Sequence, residues 1–140
     1  MKTKFKINTY KEKLYFWVII YDTLQEFKDE VRKHEKKIGN KYRYVGELGL
    51  FNPYKKWVFK DGKHKKSNDI GTIRLIKDKL YPRNVYHELV HAALWQYRLK
   101  HRNKANFGEF IDKREEEFAH IYNQLLSKAI AGIYKFKLWK

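Results

Sequence analysis

A chain of 140 residues, 43% hydrophobic and 34% charged, is long enough for one modest core and too apolar to be disordered by composition. It has no cysteine, which excludes disulfides and thiolate metal sites, so a metal here must be held by His, Asp or Glu. Its net charge of +16 suits solubility, a Lys-biased composition or attraction to a polyanion such as nucleic acid, and the lysines are spread along the chain rather than gathered in one block.

Residues 1 to 12 are Lys-rich and polar, a flexible basic arm or a leading edge. Residues 13 to 21, KLYFWVIIY, have the composition of a buried strand. Their apolar part is too short to span a bilayer, and no small-residue cleavage site follows. The expectation is no membrane and, with no cysteine, a cytoplasmic setting. Asp22 or Thr23 offers a helix cap, and Leu24, Phe27, Val31 and Ile38 fall near one face of an amphipathic helix over 23 to 38. Gly39 and Asn40 stop it.

Gly46, Gly49 and Asn52-Pro53 divide residues 41 to 60 into two short strands, 42 to 48 and 55 to 60. Asp61-Gly62 makes a turn, and KHKKSN reads as an exposed loop. DIGTIRLIK, residues 69 to 77, is a strand whose alternation puts Arg74 on the solvent side. Two long helices follow. Pro82 suits a helix start, Asn84 is a candidate cap, and the first helix runs to about Lys100. It is apolar over much of its circumference and is expected at the centre of the domain. The second runs from about Glu109 to Ala131, with Ile111, Phe118, Tyr122, Leu125 and Ala129 at helical spacing. The tail IYKFKLWK alternates like a short closing strand. No repeat or linker divides the chain, so residues 1 to 140 form one domain of the α+β class, with a short mixed or antiparallel sheet.

The stretch NVYHELVHAALWQ, residues 84 to 96, carries His87, Glu88 and His91. On a helix, residues four apart lie one above the other, so the two imidazoles can share one cation. Glu88 is turned about 100° from His87, which suits a general base beside the ion rather than a ligand on the same stripe. With 6 His among 140 residues, random order gives only about 0.02 such patterns per chain, so chance is a poor explanation. Histidines on an apolar helix also need partners, and Zn2+ is a good one; nearby carboxylates are the alternative.

A catalytic zinc needs a third protein ligand. Leu94 and Tyr97 stand where a metzincin would have glycine and histidine. His101 lies at the helix end, with nothing specific to recommend it. REEEFAHIY, residues 114 to 122, offers Glu115, Glu116 and Glu117, of which Glu117 reads as solvated. Tyr97, His101, His120 and Tyr122 are candidate donors to a developing oxyanion.

HELVHAAL followed by EEEFAHIY resembles a gluzincin-type zinc metallopeptidase, and IGTIRL with NVYHELVHA resembles its compact, phage-associated and minigluzincin-like forms. The resemblance covers about residues 70 to 127. It implies a zincin-like domain with the sheet packed on the HExxH helix and a second long C-terminal helix. It also implies Zn2+ held by His87, His91 and Glu116, with Glu88 as base and a peptide or protein as substrate. His120 stands where such proteins commonly carry an aspartate. Similarity to ImmA/IrrE-like peptidases, through Leu125 and Leu126, implies Glu115 as third ligand instead. In SprT-like proteases, which associate with DNA, His120 would take that place. The expected function is peptide-bond hydrolysis, with the substrate paired along strand 69 to 77 as an edge. The alternative is a noncatalytic or regulatory zincin-fold protein that binds nucleic acid or a protein partner.

Overall fold

The computed structural model describes residues 2–9, 13–37, 49–54, 57–60, 63–66, 68–101 and 115–139, and for 35–37, 57–60, 63–66 and 115 the backbone alone. Strands β1 (Lys2–Asn8), β2 (Tyr15–Tyr21), β3 (Gly49–Pro53) and β6 (Asp69–Ile76) form one mixed sheet in the order β1-β2-β6-β3. β4 (Trp57–Lys60) and β5 (Lys63–Lys66) make a separate antiparallel pair. Among the described residues, three α-helices complete the α+β domain: α1 (Leu24–Lys37), α2 (Pro82–Lys100) and α3 (Glu115–Lys135). Among the described residues, no helix is long and apolar enough to cross a membrane.

The sheet has helices on both faces. Phe16, Val18 and Ile20 of β2 and Ile73 and Leu75 of β6 point into the larger core, where Val85, Leu89 and Ala92 of α2 and Leu125, Ala129 and Ile133 of α3 meet them. Ile19, Tyr21 and Ile76 point the other way, against Phe27 and Val31 of α1. Each fully buried Leu, Ile or Phe contributes about 1.5–3 kcal/mol, so the larger cluster is the main source of stability. The helix expected at 23 to 38 is α1, and Thr23 caps it by accepting from the Glu26 N–H at 3.2 Å. Ile38 and the Gly39-Asn40 stop lie outside the described residues, as do the strand expected at 42 to 48, the Asp61-Gly62 turn and residues 109 to 114 of the last helix.

Several expectations are corrected. Lys2–Asn8 is no arm: it pairs along its whole length with β2 as an edge strand. The Lys-rich KHKK is a strand, with Lys60 opposite Lys63. β6 is interior, parallel to β2 and antiparallel to β3, so it offers no edge to a peptide. Arg74 is 6% exposed rather than solvated: its Nε donates to Asn52 Oδ1 at 2.7 Å and its Nη1 to the Tyr21 hydroxyl at 2.5 Å. A strand covered on both faces shows no polar alternation, so a polar residue on it is buried and must be bonded. Burial raises the Tyr21 hydroxyl above its ordinary pKa, and the Arg74 charge opposes that shift. The tail forms no strand: α3 runs on to Lys135 and ends in a turn.

Candidate metal centre

α2 starts as its sequence suggests. Pro82 occupies the first helical position, where no N–H is missed. Asn84 lies inside the helix, and its side chain donates to Lys79 O at 2.7 Å. The helix ends at Lys100, with the His101 N–H bonded to Tyr97 O at 3.0 Å.

The helix is buried along one side only. Val85, Glu88, Leu89, Ala92, Ala93, Gln96 and Tyr97 face inward, while His87 and His91 are exposed. The expectation of two buried histidines in need of partners is therefore corrected. What the helix supplies is geometry. His87 Nε2 and His91 Nε2 lie 3.2 Å apart, with ring centroids separated by 4.8 Å and the rings nearly perpendicular at 79°. Two nitrogens bound at about 2.0–2.1 Å to one tetrahedral zinc stand about 3.3 Å apart, so the pair has the spacing of two ligands to one ion. Without an ion, the same distance suits one ring donating its N–H to the other. Partial burial, helped by His87, lowers the His91 pKa and favours the neutral imidazole that a metal requires.

Glu88 lies on the neighbouring face and is 7% exposed. Its cover is β3: a Cβ added to Gly49 would stand 3.2 Å from Glu88 Cγ and 3.0 Å from Arg74 O, so glycine favours this close approach. Burial pushes the Glu88 carboxyl up to about 7, the range in which a carboxylate can take and return a proton near neutrality. Trp95 Nε1 donates to Tyr54 O at 3.2 Å and ties the same side of α2 to the end of β3. Tyr54 in turn shares a 2.7 Å hydrogen bond with Thr72 Oγ1. β3, the outer strand beside Glu88, went unnoticed in the sequence, where Asn52-Pro53 suggested a turn. Its signal was Gly49, flanked by Leu48 and Leu50.

The structure pairs His87 with His91 and sets Glu88 on the adjoining, buried face of the same helix. Among the described residues, no group of three or more His, Asp or Glu side chains is placed to hold a metal. Glu116 is exposed in the first turn of α3, and the Glu115 side chain lies outside the described residues. The next residue shows where that turn is anchored. Glu117 Oε1 accepts from Lys100 Nζ at 2.7 Å and Oε2 meets His101 Nε2 at 2.8 Å, at the far end of α2. His91 lies ten residues earlier, about 15 Å along the helix axis. Glu117 is thus paired rather than merely solvated. Burial works to raise its pKa, but the bonds from Lys100 and His101 outweigh burial and lower it. They also commit His101, which packs on Tyr97 with ring centroids 4.6 Å apart. His120 is exposed. Tyr122 stacks on Phe118, and burial, with Tyr86 nearby, raises its pKa.

The fold and site define a small α+β domain whose helix α2 exposes the pair His87 and His91 and buries Glu88 under β3. Comparison with protein-family models, curated proteins and solved structures finds no match.

Proposed function

We propose that the chain is a zinc-dependent metallopeptidase. The observation that carries this reading is the 3.2 Å separation of His87 Nε2 and His91 Nε2, with Glu88 on the adjoining face of the same helix. His87 and His91 would hold the ion through Nε2. Bound zinc supplies a Lewis acid that polarises a carbonyl and lowers the pKa of water. Glu88, kept near neutrality by burial, takes a proton from the attacking water at its carboxylate and passes it to the leaving amine. Glu116 or Glu115 is the third ligand in this reading, and for either to serve, the first turn of α3 has to approach His91.

β3 replaces β6 as the edge for an extended substrate. Tyr54 N–H bonds to Ile70 O at 3.0 Å, and the register Asn52↔Thr72 and Leu50↔Arg74 continues that ladder toward β6. Gly49, Phe51 and Pro53 therefore turn their backbone groups outward, and Phe51 offers one donor and one acceptor there. A peptide or protein substrate in the cytoplasm completes the proposal.

The test is cleavage of an unstructured protein such as casein by the zinc-loaded chain. Wild type should cleave it, and Glu88→Gln should keep its zinc and lose cleavage by a factor of at least about 100. Cleavage undiminished in Glu88→Gln would defeat the proposal.

A further inference from the structure

We infer that the end of the molecule formed by the start of α2 and the finish of α3 binds single-stranded nucleic acid. The large hydrophobic side chains exposed among the described residues are all aromatic: Tyr81 at 51%, Tyr86 at 40%, Tyr134 at 53% and Phe136 at 43%. They fall in two short segments, 81–86 and 134–136, far apart in sequence. The fold joins those segments, because Trp139 Nε1 donates to Leu80 O at 2.7 Å and the Tyr134 and Trp139 rings meet edge to face at 5.7 Å.

The same place is basic. Lys77, Lys79 and Arg83 flank the first segment, and Lys135 and Lys137 flank the second, all of them exposed. Asp78 is the single acid among residues 77–86 and 134–139, so cations outnumber anions five to one there, against 32 to 16 over the whole chain. The exposed rings thus lie in one of the chain's basic stretches, beside others at 1–13 and 55–66.

The backbone adds a third observation. Lys137 sits at φ 57°, the left-handed conformation in which a helix usually ends on glycine or asparagine. Leu138 N–H bonds to Ile133 O at 3.0 Å and Lys137 N–H to Tyr134 O at 3.0 Å, which fixes this turn. A lysine held in a costly conformation beside two exposed rings is displayed rather than merely tolerated.

Exposed rings among lysines match the chemistry of a single strand. Unpaired bases stack on the aromatic faces, and the cations track the phosphates. A duplex keeps its bases inside and presents no faces to stack on. A membrane would also accept aromatics and lysines, but cations interleaved with exposed rings in both segments favour a partner that alternates flat apolar units with phosphates.

The test is fluorescence anisotropy with labelled 20-mers of dT and rU, a 20-base-pair duplex of mixed sequence, and vesicles of 70% neutral and 30% anionic phospholipid. Both single strands should bind the full chain more tightly than the duplex or the vesicles. Tyr134→Ala and Tyr81→Ala should each weaken single-strand binding about 5- to 100-fold, with the salt dependence kept and the fold intact by circular dichroism. Lys135→Gln with Lys137→Gln should lower the slope of log affinity against log salt by about 1.4. A difference between dT and rU assigns the strand as DNA or RNA, with the same surface responsible. The inference is overturned by equal affinity for duplex and single strand with no effect of the tyrosines. It is equally overturned if the vesicles bind and the oligonucleotides do not.

Discussion

Glu88 makes the sharpest energetic prediction. Its carboxyl is buried under β3 and pushed up to about 7 in the folded chain, from its ordinary value of 4.5. A group whose folded pKa is raised favours folding while it is protonated. That contribution is fully present below pH 4.5 and is lost as pH rises through about 7. At 1.36 kcal/mol per pH unit, the full loss is about 3 kcal/mol, an upper bound because water can relax around the carboxylate. Glu88→Gln keeps the shape and removes the titration. An amide left unpartnered there would add a constant cost of about 1–3 kcal/mol at every pH. The difference between two pH values cancels that cost. Urea unfolding of both proteins with a chelator, at pH 4.5 and pH 8.5, should show the variant gaining about 2–3 kcal/mol on wild type between the two conditions. A stability difference that does not change with pH would refute the argument that Glu88 is a desolvated carboxylate.

Replacing Arg74 with Leu should cost about 2–5 kcal/mol in urea unfolding, because Asn52 Oδ1 and the Tyr21 hydroxyl lose their donor beneath α1. Gly71→Ala should destabilise by about 1–3 kcal/mol, since its Cβ would stand 2.8 Å from Phe51 Cε2 and 3.0 Å from Asn52 O; a melting temperature equal to wild type would contradict the packing of β3. Glu117→Gln should cost about 0.5–1 kcal/mol at pH 7, measured by thermal unfolding. Because the Glu117 pKa is lowered, that stabilisation is present above pH 4.5 and disappears as pH falls through the folded pKa, so the variant and wild type should converge in acid.

The helices were legible because their signals are local. Asp22 or Thr23 marked the start of α1, where Thr23 is the cap, and Pro82 marked the start of α2. His87 and His91 were legible for the same reason, since a spacing of four fixes their relation once the helix exists. Strand partners were harder, because pairing is decided between distant segments. β6 read as an alternating edge strand because Thr72 and Arg74 are polar, yet both lie in bonded positions under α1 and beside β3. The lysines of KHKK concealed a strand, since a hairpin outside the main sheet needs no apolar alternation. The alternation in YKFKLW suggested a strand, but α3 runs on to Lys135 and closes in a turn at the left-handed Lys137. Glu116 was chosen by motif order alone, whereas its place depends on Glu117, which fastens the first turn of α3 to Lys100 and His101.

The zinc content of the purified chain after dialysis tests the central claim most directly. Elemental analysis should find about one zinc per chain in wild type and in Glu88→Gln. In His87→Ala and His91→Ala, affinity should fall by more than the ~10–100-fold that loss of an outer hydrogen-bond partner costs. Zinc lost as well from Glu116→Gln or Glu115→Gln identifies the third ligand. A chain that holds no zinc, or one that keeps it after both histidines are removed, would contradict the account.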